Sequence, residues 1–311
     1  MPGCSDHPVP PPVRPTSDWE HRKLYERVLD AIASLPIHFD SETYIEGMSA
    51  TDIFSLNAAL GATIEEQVVE ALNRVRSSWD PDDQYGLYGF VRQAQTFPDV
   101  ILRRLTPDPS TQDDIVLGIE LKGWYVLSKE AEPSFRFAVT PEACADADLL
   151  VCVPWALKNV LSGRPKVYAP YIESAKRAAQ LRNHYWQWQR ATKGSREVKR
   201  PITGIRPYPS KTDQISDRPA YDAGGNFGRY ARTGFMDAFV QRTLQEPLCG
   251  IAAGAWLSFF KLFTESAADE GMHERIAVLR KKLVASRVDH PGEPEATYLA
   301  ILDILEQALS A

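Results

Sequence analysis

The sequence predicts an α/β fold, a mixed central sheet flanked by helices, with helical additions at the N- and C-terminal ends. Three observations predict it. The segments IVLGIELKGWYVL (115–127) and DLLVCVPWAL (148–157) are apolar runs, as strands buried by their neighbours are. GATIEEQVVEALNRV (61–75) repeats apolar residues at helical spacing, with Ile64, Val68, Ala71, Leu72 and Val75 in one stripe. Strand and helix patterns then alternate along a chain of 311 residues, 44% of them hydrophobic, enough for a sizeable core.

Residues 1–16, MPGCSDHPVPPPVRPT, are proline-rich without an apolar stretch, and read as a flexible leader and not a signal peptide. Residues 17–58 form an N-terminal helical segment, opening on a charged helix from Ser17 to Leu35 with a serine available to cap it. The helix carrying Glu65 follows, and WDPDDQYG breaks it before the strand FVRQAQ (90–95). DVILRR (99–104), the 115–127 run, SFRFAV (134–139) and the 148–157 run are the next strands. A helix is expected from Tyr171 to Arg190, with Ala178, Leu181, Tyr185 and Trp188 inward and Lys176, Gln180, Asn183, Gln187 and Arg190 outward. Residues 192–234 have few apolar side chains and many Gly, Pro, Lys and Arg, so a long irregular functional segment is expected. Its GGNFGRYARTG lacks the preceding strand and the Lys-Ser/Thr ending of a phosphate-binding loop. Residues 235–311 read as helices: FMDAFVQRTLQ, CGIAAGAWLSFFKLF, Met272 to Ser286, and EATYLAILDILEQAL. They could brace the core or form a dimer interface.

The chemistry is concentrated in FPDV and GIELKGW. In a strand the side-chain period is two, so Glu120 and Lys122 project from one face while Ile119, Leu121 and Gly123 take the other. If Asp99 begins the neighbouring strand, two carboxylates can grip one hard divalent cation with a lysine beside it. Glu65 sits at the edge of its helix's apolar stripe, whereas Glu66 and Glu70 point to solvent.

Pro98-Asp99 and Glu120-Leu121-Lys122, with a glutamate four residues after Gly61 on the upstream helix, resemble the PD-(D/E)xK nuclease superfamily, of which type II restriction endonucleases are members. The resemblance covers about Ala59 to Trp188 and makes residues 59–191 a restriction-endonuclease-like core. It implies that Asp99, Glu120 and the Leu121 carbonyl hold Mg2+, with Mn2+ as a substitute, and that Glu65 lies close by. It implies that Lys122 orients the attacking water or, if its pKa is depressed, accepts its proton. The implied reaction is magnesium-dependent hydrolysis of DNA phosphodiesters to 5′-phosphate and 3′-hydroxyl ends. A repair or recombination nuclease acting on branched or single-stranded DNA, and a non-catalytic DNA-binding protein on the same fold, are the alternatives.

Charge placement agrees with a nucleic-acid partner. The net charge is −6, yet residues 158–211 hold thirteen Lys or Arg against Glu173 and Glu197, a balance of +11 that leaves −17 for the rest. Tyr168, Tyr171, Tyr185, Trp186, Trp188 and Tyr208 are interleaved with these cations. Lys176, Arg190, Lys193, Arg196, Lys199, Arg200, Arg206 and Lys211 are the candidate contacts to double-stranded DNA, because arginine forks match guanine edges and phosphates. Trp124 and Arg136 are candidates to line the cleft, while His184 reads as structural. Cys4, Cys144, Cys152 and Cys249 lack zinc spacing and are expected as buried thiols in a reducing cytosol, so the expected location is cytoplasmic. The longest apolar run, LCGIAAGAWLSFF, is shorter than the ~20 residues of a membrane span. A homodimer is expected.

Overall fold

The computed structural model describes residues 7–49, 52–93, 95–106, 114–190, 194–201, 204–222, 224–232 and 234–265, and scattered helical positions between 274 and 303. The chain opens with α1 (Arg22–Ala33) and the short α2 (Leu35–His38), continues through a 3-10 turn (Ile53–Ser55) into α3 (Leu56–Arg74), and adds the single turn α4 (Arg76–Trp79). The strands β1 (Tyr88–Arg92), β2 (Val100–Arg104), β3 (Ile115–Tyr125), β4 (Leu149–Leu157), β5 (Pro165–Val167) and β6 (Tyr171–Ser174) form one sheet in the order β1-β2-β3-β4-β5, with β6 also on β4. Only β3 and β4 run parallel; the other pairs are antiparallel, so the sheet is mixed as expected.

The two faces of the sheet bury different partners. Leu117, Ile119 and Leu121 of β3 and Leu149, Val151 and Val153 of β4 join the apolar faces of α1 and α3 in the main core. Ile64, Val68, Ala71 and Leu72 of the expected stripe are buried there, and Val75 caps the helix at the rim of that core. Asn73 ties that helix to the edge strand, its side-chain amide donating to the Phe90 carbonyl (2.9 Å) and accepting from the Phe90 N–H (2.8 Å). On the opposite face Trp124, Leu150 and Cys152 pack against α5 (Ala175–His184), Phe137, Val139 and Cys144.

Several expected elements differ. The helix expected from Tyr171 begins at Ala175, because residues 171–174 pair with Leu149–Cys152 along an edge that β5 leaves open. Ser174 caps α5, its side chain accepting from the Arg177 N–H at 3.3 Å, and the helix ends in a π turn over Tyr185–Gln189. Asn183, ahead of that turn, is buried and not outward, where it donates to Asp217; past the shift in facing that the turn makes, Arg190 is buried and not outward, while Trp188 is exposed against His7 and not inward. SFRFAV is not a strand of the sheet; it makes isolated bridges, Arg136 with Arg229 and Val139 with Ser216. The α1 helix starts at Arg22 with His21 at its cap position, and no serine side chain caps it.

Residues 7–16, expected to be a flexible leader, contact the body: the His7 carbonyl accepts from His184 Nε2 at 2.9 Å, and the Pro15 carbonyl accepts from Arg22 at 2.6 Å. The segment after Gly194 contains the two-stranded ribbon β7 (Val198–Lys199) and β8 (Arg218–Pro219) and buries Asp217, Phe227 and Tyr230. Beyond it lie α6 (Asp237–Gln245), the hairpin β9 (Pro247–Leu248) and β10 (Ile251–Ala252), and α7 (Ala253–Glu265). The helix expected from Cys249 therefore starts four residues later, and Cys249 is an exposed hairpin residue while Cys144 and Cys152 are buried. Most of the two last expected helices lie outside the described residues. Among those described, no helix is long and apolar enough to cross a membrane.

Candidate active site

Asp99 stands at the mouth of β2, directly after the cis Phe97–Pro98 bond. Its Oδ2 accepts from the Leu121 N–H at 3.1 Å and from Lys122 Nζ at 2.9 Å. Glu120 Oε1 lies 3.0 Å from the same Nζ. The period-two expectation thus holds in space: Glu120 and Lys122 share a face of β3, and Asp99 reaches it from β2. Side-chain exposure is 10% for Glu120 and 35% for Asp99, so the group opens toward solvent on the Asp99 side.

Electrostatics follow from this burial. Desolvation raises the Glu120 carboxyl to about 7 against the opposing pull of Lys122, with the Asp99 carboxylate adding to the rise. Burial acts to lower the Lys122 ammonium, but the Glu120 and Asp99 carboxylates outweigh it and hold the group above its ordinary value. In this state the lysine is a charged donor. Glu65 comes in from α3, where its Oε1 accepts from the Gly123 N–H at 3.1 Å. Burial raises its carboxyl, and that backbone hydrogen bond opposes the rise.

The donor chemistry suits a hard cation. Two carboxylates converge on one positive centre, and magnesium typically takes one or two protein carboxylates and keeps several waters. A residue's N–H and C=O leave an extended strand by the same edge, so the N–H bonded to Asp99 puts the Leu121 carbonyl on that edge as well. Among the described residues no group of three or more His, Cys, Asp or Glu side chains gathers to hold a metal. Glu65, expected close by, accepts from the Gly123 N–H, and its carboxyl feels the charges of Lys122 and Asp99.

Sequence reading missed the residues that seat the strand. Asp148, fully buried before β4, accepts from the Gly118 N–H (2.7 Å), the Ala145 N–H (2.7 Å) and the Tyr208 hydroxyl (3.0 Å). Burial pushes its carboxyl up to about 6. Gly118 is required by space, since a Cβ there would lie 2.3 Å from Pro98 Cγ. Arg182 and Asp217 form a buried pair at 2.6 Å, with Arg182 also donating to the Phe137 and Val139 carbonyls and Asn183 donating to Asp217. The signal available was weak: a glycine in an apolar strand and an aspartate beginning one.

The basic candidates divide. Arg196, Lys199, Arg206 and Lys211 are exposed and have no acidic partner among the described residues. Arg200 pairs with Glu142 at 2.8 Å and Lys176 with Asp146 at 2.6 Å. Arg190 is buried, its guanidinium 3.5 Å above the Trp186 ring and donating to the Ser195 carbonyl. Lys193 lies outside the described residues. Trp124 packs inside against Phe239 and does not line a cleft, and Arg136 donates to Asn226. Arg206 and Lys176 border a cleft of about 670 Å³ with Trp19, Glu142 and Tyr208. No family model matches the chain, and no curated protein or solved structure matches it.

Proposed function

We propose that the chain is a metal-dependent endonuclease of the PD-(D/E)xK, restriction-endonuclease type, acting on double-stranded DNA. The observation that carries the proposal is the convergence of Asp99 and Glu120 on Lys122 across two adjacent strands, at the mouth of the sheet. When bound, Mg2+ or Mn2+ would polarise the scissile phosphate and lower the pKa of a water. Asp99, Glu120 and the Leu121 carbonyl would provide its oxygens. Lys122, charged in the present arrangement, donates hydrogen bonds to the nucleophile or to a phosphate oxygen as charge develops there. Glu65 braces the strand at Gly123, one residue past the lysine. The products would carry 5′-phosphates and 3′-hydroxyls, and a pair of identical subunits would meet the two strands of a duplex.

A non-catalytic DNA-binding protein is the second reading, favoured by an ammonium that already satisfies both carboxylates. Incubation with plasmid in the presence and absence of magnesium separates the two. Magnesium-dependent nicking or linearisation is expected. Binding without cutting, under magnesium and under manganese alike, would leave the scaffold reading.

A further inference from the structure

The basic segment is not a uniform charged loop. Its strands β7 and β8 pair antiparallel, Val198 opposite Pro219 and Lys199 opposite Arg218, and the Ala220 N–H donates to the Glu197 carbonyl at 3.0 Å to extend the ladder by one pair. Opposed residues share a face and the period is two, so Lys199, Arg218 and Glu197 lie on one face and Val198 and Pro219 on the other. The first three are exposed and the other two half-buried. Among the described residues neither Lys199 nor Arg218 has an acidic partner, and like charges directly across a ladder destabilise it. The face awaits an anion or an acceptor-rich surface.

The ribbon is held firmly. Asp217, the residue before β8, is clamped by Arg182 and Asn183 and donates its N–H to the Ala138 carbonyl. Val139 and Phe137, which receive this segment, pack in the same cluster as Trp124, on the face of β3 that carries Glu120 and Lys122. Ribbon and carboxylates therefore belong to one side of the sheet.

We infer that the exposed face of β7–β8 enters the major groove of duplex DNA and reads base edges through Lys199, Arg218 and Glu197. A two-stranded ribbon fits that groove. Lys and Arg match the guanine O6 and N7 acceptors, and a carboxylate matches the cytosine amino donor. Glu197 is what separates reading bases from tracking phosphates, since a carboxylate against a phosphate is repelled. The inference rests on the DNA-directed reading above, but not on catalysis.

The test is selection of bound duplexes from a randomised pool without divalent cation, for the wild type and for Lys199→Ala, Arg218→Ala and Glu197→Ala. Each variant's thermal melting is checked, with Lys199→Gln and Arg218→Gln as second variants. The wild type is expected to enrich a defined sequence, to be displaced by methyl green in the major groove, and to tolerate distamycin in the minor groove. Each variant is expected to lose about ten- to a hundred-fold of discrimination at one or two base positions. Unchanged preferences in all variants would overturn the inference. So would a loss of affinity uniform across sequences, which marks phosphate contact, a preference for single strands, or no DNA binding at all. A wild type that selects a sequence through these residues yet cuts nothing with magnesium sinks the nuclease reading and leaves this one standing. Cutting with a preference that the variants share does the reverse.

Discussion

Lys122 is held between two carboxylates and is charged, so its removal should disturb chemistry far more than binding. Lys122→Ala is expected to lower the cleavage rate by at least ~100-fold, the low end for a positioned proton-transfer or donor group, with DNA affinity near that of the wild type. Wild-type-like cutting would take the lysine out of the mechanism. Asp148 gives a test on stability. Its folded carboxyl is raised to about 6 against an unfolded value of about 3.9, so between those values the folded state holds the extra proton and stability falls as pH rises. Asp148→Asn cannot titrate, and its amide nitrogen would face the Ala145 N–H, so the variant is less stable throughout. The gap between wild type and variant should nevertheless narrow by about 1–3 kcal/mol from pH 4 to pH 7 in denaturant melts. A gap that widens over this range contradicts the raised carboxyl.

At the scale of elements, β3 is the part on which the site depends, pinned at Gly118 by Asp148 and at Gly123 by Glu65. Gly118→Ala would put a methyl 2.3 Å from Pro98 Cγ and 2.9 Å from Asp148 Oδ1, so β2 and β3 must separate at the base of the site. Overpacking of this kind costs about 1–3 kcal/mol, and the displacement of Asp99 should depress cleavage further than stability alone would. A variant with the wild-type urea midpoint would show that Pro98 yields freely. The start of α5 shows how an element can be legible in type and not in extent. Residues 171–174 suit a helix by pattern, but the uncovered edge of β4 offers them ladder hydrogen bonds, and that is a property of the sheet.

For the whole molecule, the buried Arg182–Asp217 pair joins α5 to the basic segment. Arg182→Ala leaves a buried carboxylate without its partner, a loss of about 3–5 kcal/mol, and should open residues 204–222 to limited proteolysis. Retained resistance would mean that the segment is held by its aromatic packing alone. If duplex DNA is the partner, the exposed cations set the response to salt. Replacing Arg196, Arg206 and Lys211 together by alanine should flatten the log-log salt dependence of duplex binding by up to ~3 units, about 0.9 per phosphate contact. Arg200→Ala, which removes a residue already paired with Glu142, should flatten it by less. Equal slopes in the wild type and the triple variant would move the phosphate-contacting surface elsewhere.

The apolar strands, the helix bearing Glu65 and the shared face of Glu120 and Lys122 were legible from residue order alone, because they follow from side-chain period along a continuous backbone. Residue order also located the concentration of positive charge between residues 158 and 211. Which cations are free follows from tertiary contacts, since Lys176 and Arg200 find acidic partners on segments distant in sequence. The same holds for the pairing of 198–199 with 218–219, the strand at 171–174, and the anchoring by Asp148 and Asp217. These rest on contacts between residues tens of positions apart, and local pattern carries no information about which distant group will supply the missing hydrogen bond or charge.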